Sequence, residues 1–169
     1  MPKIPDRMHE RSMTNIAVLV LSAVFIAAVA AGCSTPRTVS HQPPVSEISD
    51  KIAQAVDLSA MKAGDSSKLQ KLYGINADKL DGFALYTAPS NVKADELVVL
   101  KVKDAGDVDA IKDNIAKKVD SQAASFKDYL PEQYYLIEQH VLKSSGNYVL
   151  LAISKDTAGI EAAFDDSLK

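Results

Sequence analysis

The 169-residue chain has a single cysteine, only seven glycines and seven prolines, and one long uninterrupted apolar stretch. One thiol excludes a disulfide framework and any Cys-rich zinc site. Modest glycine and proline content, with charges of both signs interspersed, excludes a collagen-like or mostly disordered chain. A net charge of −3 and a pI near 5.6 leave no basic footprint for nucleic acid. No second apolar run accompanies the first, which argues against a polytopic membrane protein. Neither G-x-x-x-x-G-K nor G-x-G-x-x-G occurs, so no phosphate cradle is encoded.

What is present begins with the apolar stretch from Ile16 to Ala31, IAVLVLSAVFIAAVAA. As a helix rising 1.5 Å per residue it covers only ~24 Å, short of the ~30 Å hydrocarbon core. Lys3, Arg7 and Arg11 precede it against Asp6 and Glu10. A basic start, an apolar run and small residues after it are the three parts of a secretory signal, predicted over residues 1–32. Met8 and Met13 are alternative starts to Met1; starting at Met13 would leave no basic side chain ahead of the run.

Val29-Ala30-Ala31-Gly32-Cys33 resembles a bacterial lipobox, with Ala30 where leucine is commonest. The resemblance implies a diacylglyceryl thioether on Cys33, cleavage before it, and further acylation by palmitate-like chains. The alternative is a buried cysteine behind an uncleaved anchor; the position of the lone thiol directly after the run favours lipidation. Each buried CH₂ contributes ~0.8 kcal/mol, so two or three chains hold a protein firmly where one is marginal. The expected product is residues 33–169, exported and held at the outer face of the cytoplasmic membrane. It keeps Arg37 as its only arginine. Such a weakly acidic domain gains nothing from anionic lipid and suits phosphate-rich ligands poorly.

Residues 33–46 form the lipidated cysteine and a tether, STPRTVSHQPPVS after Cys33, with Pro36, Pro43 and Pro44 and almost no apolar bulk. At ~3.1 Å per residue it spans up to ~40 Å. Residues 47–169 are then enough for one core and too few for two domains.

Apolar spacing in this region predicts mixed structure. Ile48, Ile52, Val56 and Leu58 mark a first helix. Asp65 caps a helix over Ser66–Tyr73 that ends at Gly74. Gly82–Ala88 and Glu96–Lys103 are β-rich runs around a Pro89-Ser90-Asn91 turn. Val108, Ile111, Ile115, Val119, Ala123 and Phe126 give one face of a long helix capped by Asp107. Pro131 opens another helix over Glu132–Gln139. Val141–Lys143 and Asn147–Ser154 make a second strand pair, and Ala158–Leu168 a closing helix. The order α-α-β-β-α-α-β-β-α has no βαβ rhythm. It implies an α+β fold: a mostly antiparallel sheet of about four strands with helices packed on one face, a two-layer sandwich.

Lys71-Leu72-Tyr73-Gly74-Ile75, Ala94-Asp95-Glu96, the Val99–Lys103 strand, Phe126 through Gln133 and Gly146-Asn147-Tyr148-Val149 occur in one order. That order resembles the clostridial-type bacterial lipoprotein family of domain of unknown function 4358, over about Glu47 to Leu168. The resemblance implies location and rough fold but no activity.

Candidate chemistry is sparse. His41 and His140 have no second His or Cys at ligand spacing, so no metal or other cofactor is expected. His140 reads as a surface residue favoured by a helix C-terminus. Asp104, Asp107, Asp109 and Asp113 fail the calcium-loop pattern, because Gly106 precedes most of the acids and Ile115 stands at position twelve. Ser59-Ala60-Met61-Lys62 has the S-x-x-K spacing of penicillin-binding enzymes and Ser145-Gly146-Asn147 mimics their second motif, but no Lys-Thr-Gly follows. His140 has no G-x-S-x-G elbow to complete a triad. Asp95-Glu96 and Asp165-Asp166 are read as solvated charge. Tyr129, Tyr134 and Tyr135 offer apolar area with a polar tip, as interfaces use, or else pack a short helix on the sheet.

The sequence therefore points to a membrane-anchored lipoprotein whose domain binds an envelope protein and is not an enzyme. The alternatives are a small cell-envelope enzyme using carboxylates, or a small-ligand-binding lipoprotein.

Overall fold

Two strands of the sheet are apolar at almost every position, which requires cover on both faces. All six residues of Tyr148–Ile153 are buried, as are six of the seven in Glu96–Val102. The computed structural model describes residues 41–169. It contains α1 (Val45–Ala55), β1 (Lys62–Ala63), α2 (Ser66–Tyr73), β2 (Leu80–Thr87), β3 (Glu96–Val102), α3 (Val108–Phe126), α4 (Pro131–Glu138), β4 (Val141–Ser145), β5 (Tyr148–Ile153) and α5 (Thr157–Ser167). The strands form one sheet in the order β1-β2-β3-β5-β4, and every neighbouring pair is antiparallel. The α+β class and the two strand pairs are as the sequence leads one to expect. The fifth strand, β1, is a two-residue edge, too short to leave a pattern.

The layering differs from the two-layer expectation: helices cover both faces. On one face α2, α3 and α4 pack against Leu85, Val98, Leu100, Val102, Val149, Leu151 and Ile153. On the other, Val45, Ile48 and Ile52 of α1 and Ile160 and Phe164 of α5 pack against Leu97, Val99, Tyr148, Leu150 and Ala152. The cause is visible in β5. Val149, Leu151 and Ile153 mark one apolar face, but their alternates are apolar too. Each such side chain gains ~1.5–3 kcal/mol by leaving water, so the second face is not left wet.

Local signals set the helix ends. The Asp65 carboxylate accepts from the Lys68 N–H at 2.9 Å, and Gly74 closes α2 at φ 66°, a left-handed conformation that favours glycine. Pro131 occupies the first turn of α4. Asp107 precedes α3 without capping it: Asp104 caps the 3₁₀ turn at Ala105–Asp107 through the Gly106 N–H, and Asp107 instead pairs with Lys79 at 3.2 Å. Helix α5 begins at Thr157 after Asp156, whose carboxylate accepts from the Gly159 N–H at 2.9 Å. Helix α1 takes in Val45 and Ser46, positions that read as tether, because Val45 is buried in the second core.

Candidate functional site

Cys33 and the signal segment lie outside the described residues. Of the tyrosines, Tyr129 is 85% exposed in the link between α3 and α4, and Tyr135 is 61% exposed on α4. Tyr134 is half-buried and packs on the first core. The helix explains the split: Gln133, Leu136 and Ile137 take the inward side of α4, leaving Glu132 and Tyr135 outside. The Gln133 Oε1 accepts from the buried Ala94 N–H at 2.9 Å, fastening α4 to the loop 88–95 between β2 and β3. That loop carries Val92, the third large apolar side chain left exposed among the described residues. Lys93 of the same loop, Lys155, Gln139 and Tyr135 line a groove of about 680 Å³.

A second cluster is one that sequence reasoning missed. Glu96, read as solvated charge, is 3% exposed. It opens β3 on the side of Val98 and Leu100, beneath α2 and α3. The Tyr73 hydroxyl donates to its Oε1, and the Lys118 ammonium donates to its Oε2. Lys118 also donates to Gln122 Oε1 at 2.6 Å, one turn further along α3, and lies 5.5 Å from the centre of the Tyr73 ring. Beside them, Lys68 of α2 donates to Thr87 Oγ1 at 2.6 Å, and Thr87 is the cross-strand partner of Glu96.

Burial pushes the Glu96 carboxyl above its ordinary value, with the Lys118 charge pulling the other way. Burial likewise pushes the Lys118 ammonium down, opposed by Glu96. Both carboxylate oxygens are engaged, so the arrangement fixes an ammonium at the mouth of a groove and does not present a free acid. Among the described residues no buried side-chain nitrogen or oxygen lacks a partner. The signal was faint but present. Glu96 keeps the two-residue parity of the core-facing Val98 and Leu100, and Lys118 falls three residues after buried Ile115.

The remaining candidates have local roles. His140 follows α4, with its Nδ1 2.7 Å from the Ile137 carbonyl. Asp165 contacts Lys143 at 2.8 Å, and Asp166 pairs with Lys169 at 2.5 Å. Among the described residues no group of three or more His, Cys, Asp or Glu is placed to hold a metal ion, and no helix is long and apolar enough to cross a membrane.

No curated protein matches the chain, and no solved structure does. One family model does, over residues 54–154, a range that takes in the whole sheet, the Tyr73–Glu96–Lys118 cluster and all three tyrosines of the α4 region. The match covers more than half of the sequence, and the chain belongs to the family described as a domain of unknown function, DUF4358.

Proposed function

We propose that this chain is an exported lipoprotein, anchored by lipid on Cys33 to the outer face of the cytoplasmic membrane, whose domain binds an envelope protein without catalysis. The observation that carries the binding reading is the placement of Tyr129, Tyr135 and Val92. They are the large apolar side chains left exposed among the described residues, and the Gln133–Ala94 hydrogen bond joins the segments bearing two of them. Tyrosines with apolar neighbours are the residues that interfaces concentrate at their centres. Both sheet faces are already covered by helices, which leaves the α4 end as the candidate surface. A carboxylate enzyme has less support: Glu96 is its natural acid, and both oxygens are held by Tyr73 and Lys118.

Two experiments test the two halves of this reading. Cys33→Ser is expected to release the protein from membranes, and retention after a carbonate wash would refute lipid anchoring. A photo-cross-linker at Glu132, in intact cells at native expression, is expected to capture one dominant envelope protein. Capture should be lost in the Tyr129→Ala/Tyr135→Ala variant; equal capture by that variant, or none by the parent, overturns the binding surface.

A further inference from the structure

We propose that the groove between α2 and α3 is a binding site for a small organic carboxylate carrying an apolar portion. Two adjoining hollows of about 480 Å³ each share Leu72, Lys118, Gln122 and Phe126. That size falls within the range of small-molecule sites, and the lining mixes apolar walls with a few polar groups; both hollows are shallow and open to solvent, which suits a small ligand held weakly.

The charge of the lining is unlike that of the chain. Lys68, Lys93, Lys117 and Lys118 face Asp95 and Glu96 there, in a chain of net charge −3. Glu96 is buried and committed to Tyr73 and Lys118, so it offers a ligand nothing.

The ammonium groups still have donors to offer. Each carries three N–H donors and no acceptor. Lys68 uses one on Thr87, and Lys118 uses two on Glu96 and Gln122. Three N–H groups therefore remain on two held ammoniums along one groove, and a carboxylate accepts from such donors in charge-assisted bonds. Leu72, Phe126 and Pro89 provide the apolar surface for the rest of the molecule. The buried Tyr73–Glu96 pair holds Lys118 in place before any ligand arrives, which lowers the ordering cost of binding. The site shares Lys93 of the loop 88–95 with the Tyr135 groove, but its held ammonium groups, Lys68 and Lys118, do not line that groove, and its occupancy does not depend on a protein partner.

The test uses the full chain in detergent micelles, observed by amide NMR during titration with N-acetyl-leucine, benzoate and their neutral amides. At least one acid is expected to saturate at a Kd of about 1 mM or below, with its amide roughly tenfold weaker. The largest shifts should fall on Lys68, Thr87, Lys118 and Gln122. Lys68→Met removes two of the free donors without opening the Glu96–Lys118 pair, and is expected to weaken the acid roughly tenfold. Tyr129→Ala/Tyr135→Ala should leave it unchanged. Acid and amide binding alike, inorganic phosphate competing as well as the acids, or Lys68→Met binding like the parent overturns the proposal. So does the absence of saturation for every acid by about 10 mM, ten times the expected Kd.

Discussion

The Tyr148 hydroxyl donates a 2.7 Å hydrogen bond to the carbonyl of Pro43, a residue 105 positions earlier. Tyr148 opens β5 and is fully buried, so the bond ties the segment leading into α1 to the middle of the sheet. The Lys101 ammonium lies 5.4 Å from the same ring. A pull on the N-terminal side of the domain is thus resisted by an interior strand of the sheet as well as by the apolar face of α1.

Removing that hydroxyl should be felt at the α1 end first. Tyr148→Phe leaves the Pro43 carbonyl without its donor and is expected to cost about 1 kcal/mol. The midpoint in urea should fall, and limited proteolysis should reach the segment before Val45 sooner than in the parent. An unchanged midpoint and an unchanged cleavage pattern would show that α1 packing alone holds this end.

The Glu96–Lys118 pair should be strongly asymmetric under substitution. Lys118→Met alone leaves a buried carboxylate with only the Tyr73 donor, and a loss of about 3–5 kcal/mol is expected. Lys118→Met combined with Glu96→Leu should recover part of that loss, because apolar groups of similar volume replace both charges while the buried Tyr73 hydroxyl loses its acceptor. Denaturant unfolding of the two singles and the double gives the coupling directly. Additive losses would mean that the pair is not a unit.

Stability should depend on pH in an inverted way at this cluster. Burial raises the Glu96 carboxyl above the ordinary 4.5, so the native state holds this proton more tightly than the unfolded chain. Its contribution is largest below 4.5 and is lost as pH rises through the native value. Lys118 is lowered from 10.5, so the native state holds that proton less tightly, and stability rises as pH climbs from the native value to 10.5. In Glu96→Gln the falling limb above 4.5 should vanish. Urea midpoints of parent and variant that run parallel from pH 4 to pH 7 would contradict the assignment.

Gln133 is the joint between α4 and the loop 88–95. Gln133→Ala leaves the buried Ala94 N–H without an acceptor, at an expected cost of about 1–3 kcal/mol. Hydrogen exchange at Ala94 and its neighbours should accelerate beyond the global effect. Exchange that speeds up uniformly would show that the loop is held by something else.

The helices and strand pairs were legible because their signals are local. Asp65 and Gly74 bracket α2, Pro131 opens α4, and Pro89-Ser90-Asn91 separates β2 from β3, each through backbone chemistry confined to a few residues. Exposure of Tyr129 and Tyr135 was legible only as one of two outcomes, since Tyr134 and Tyr135 are adjacent on a short helix and cannot both face inward, and Tyr129 lies in the link before it. The structure divides them, with Tyr134 inward. The layering was not legible from one face of β5. Val149, Leu151 and Ile153 account for α3 and α4, while the cover of Tyr148, Leu150 and Ala152 comes from α1 and α5, the first and last helices of the described residues.

The amino-acid sequence by itself determined the order of the five helices and of β2 to β5, the antiparallel α+β class and the ends of α2 and α4, because periodicity, caps and breakers act within one or two turns. Only the tertiary structure decided which charges are buried. Glu96 stands beside Asp95 in the chain, and only its strand parity with Val98 and Leu100 sets it apart locally. The packing of α2 and α3 over the start of β3 brings Tyr73 and Lys118, from 23 residues before and 22 after, onto one carboxylate. A solvated acid thereby becomes the centre of a buried network, since the free energy of a charge depends on what surrounds it in space and not on its neighbours in sequence.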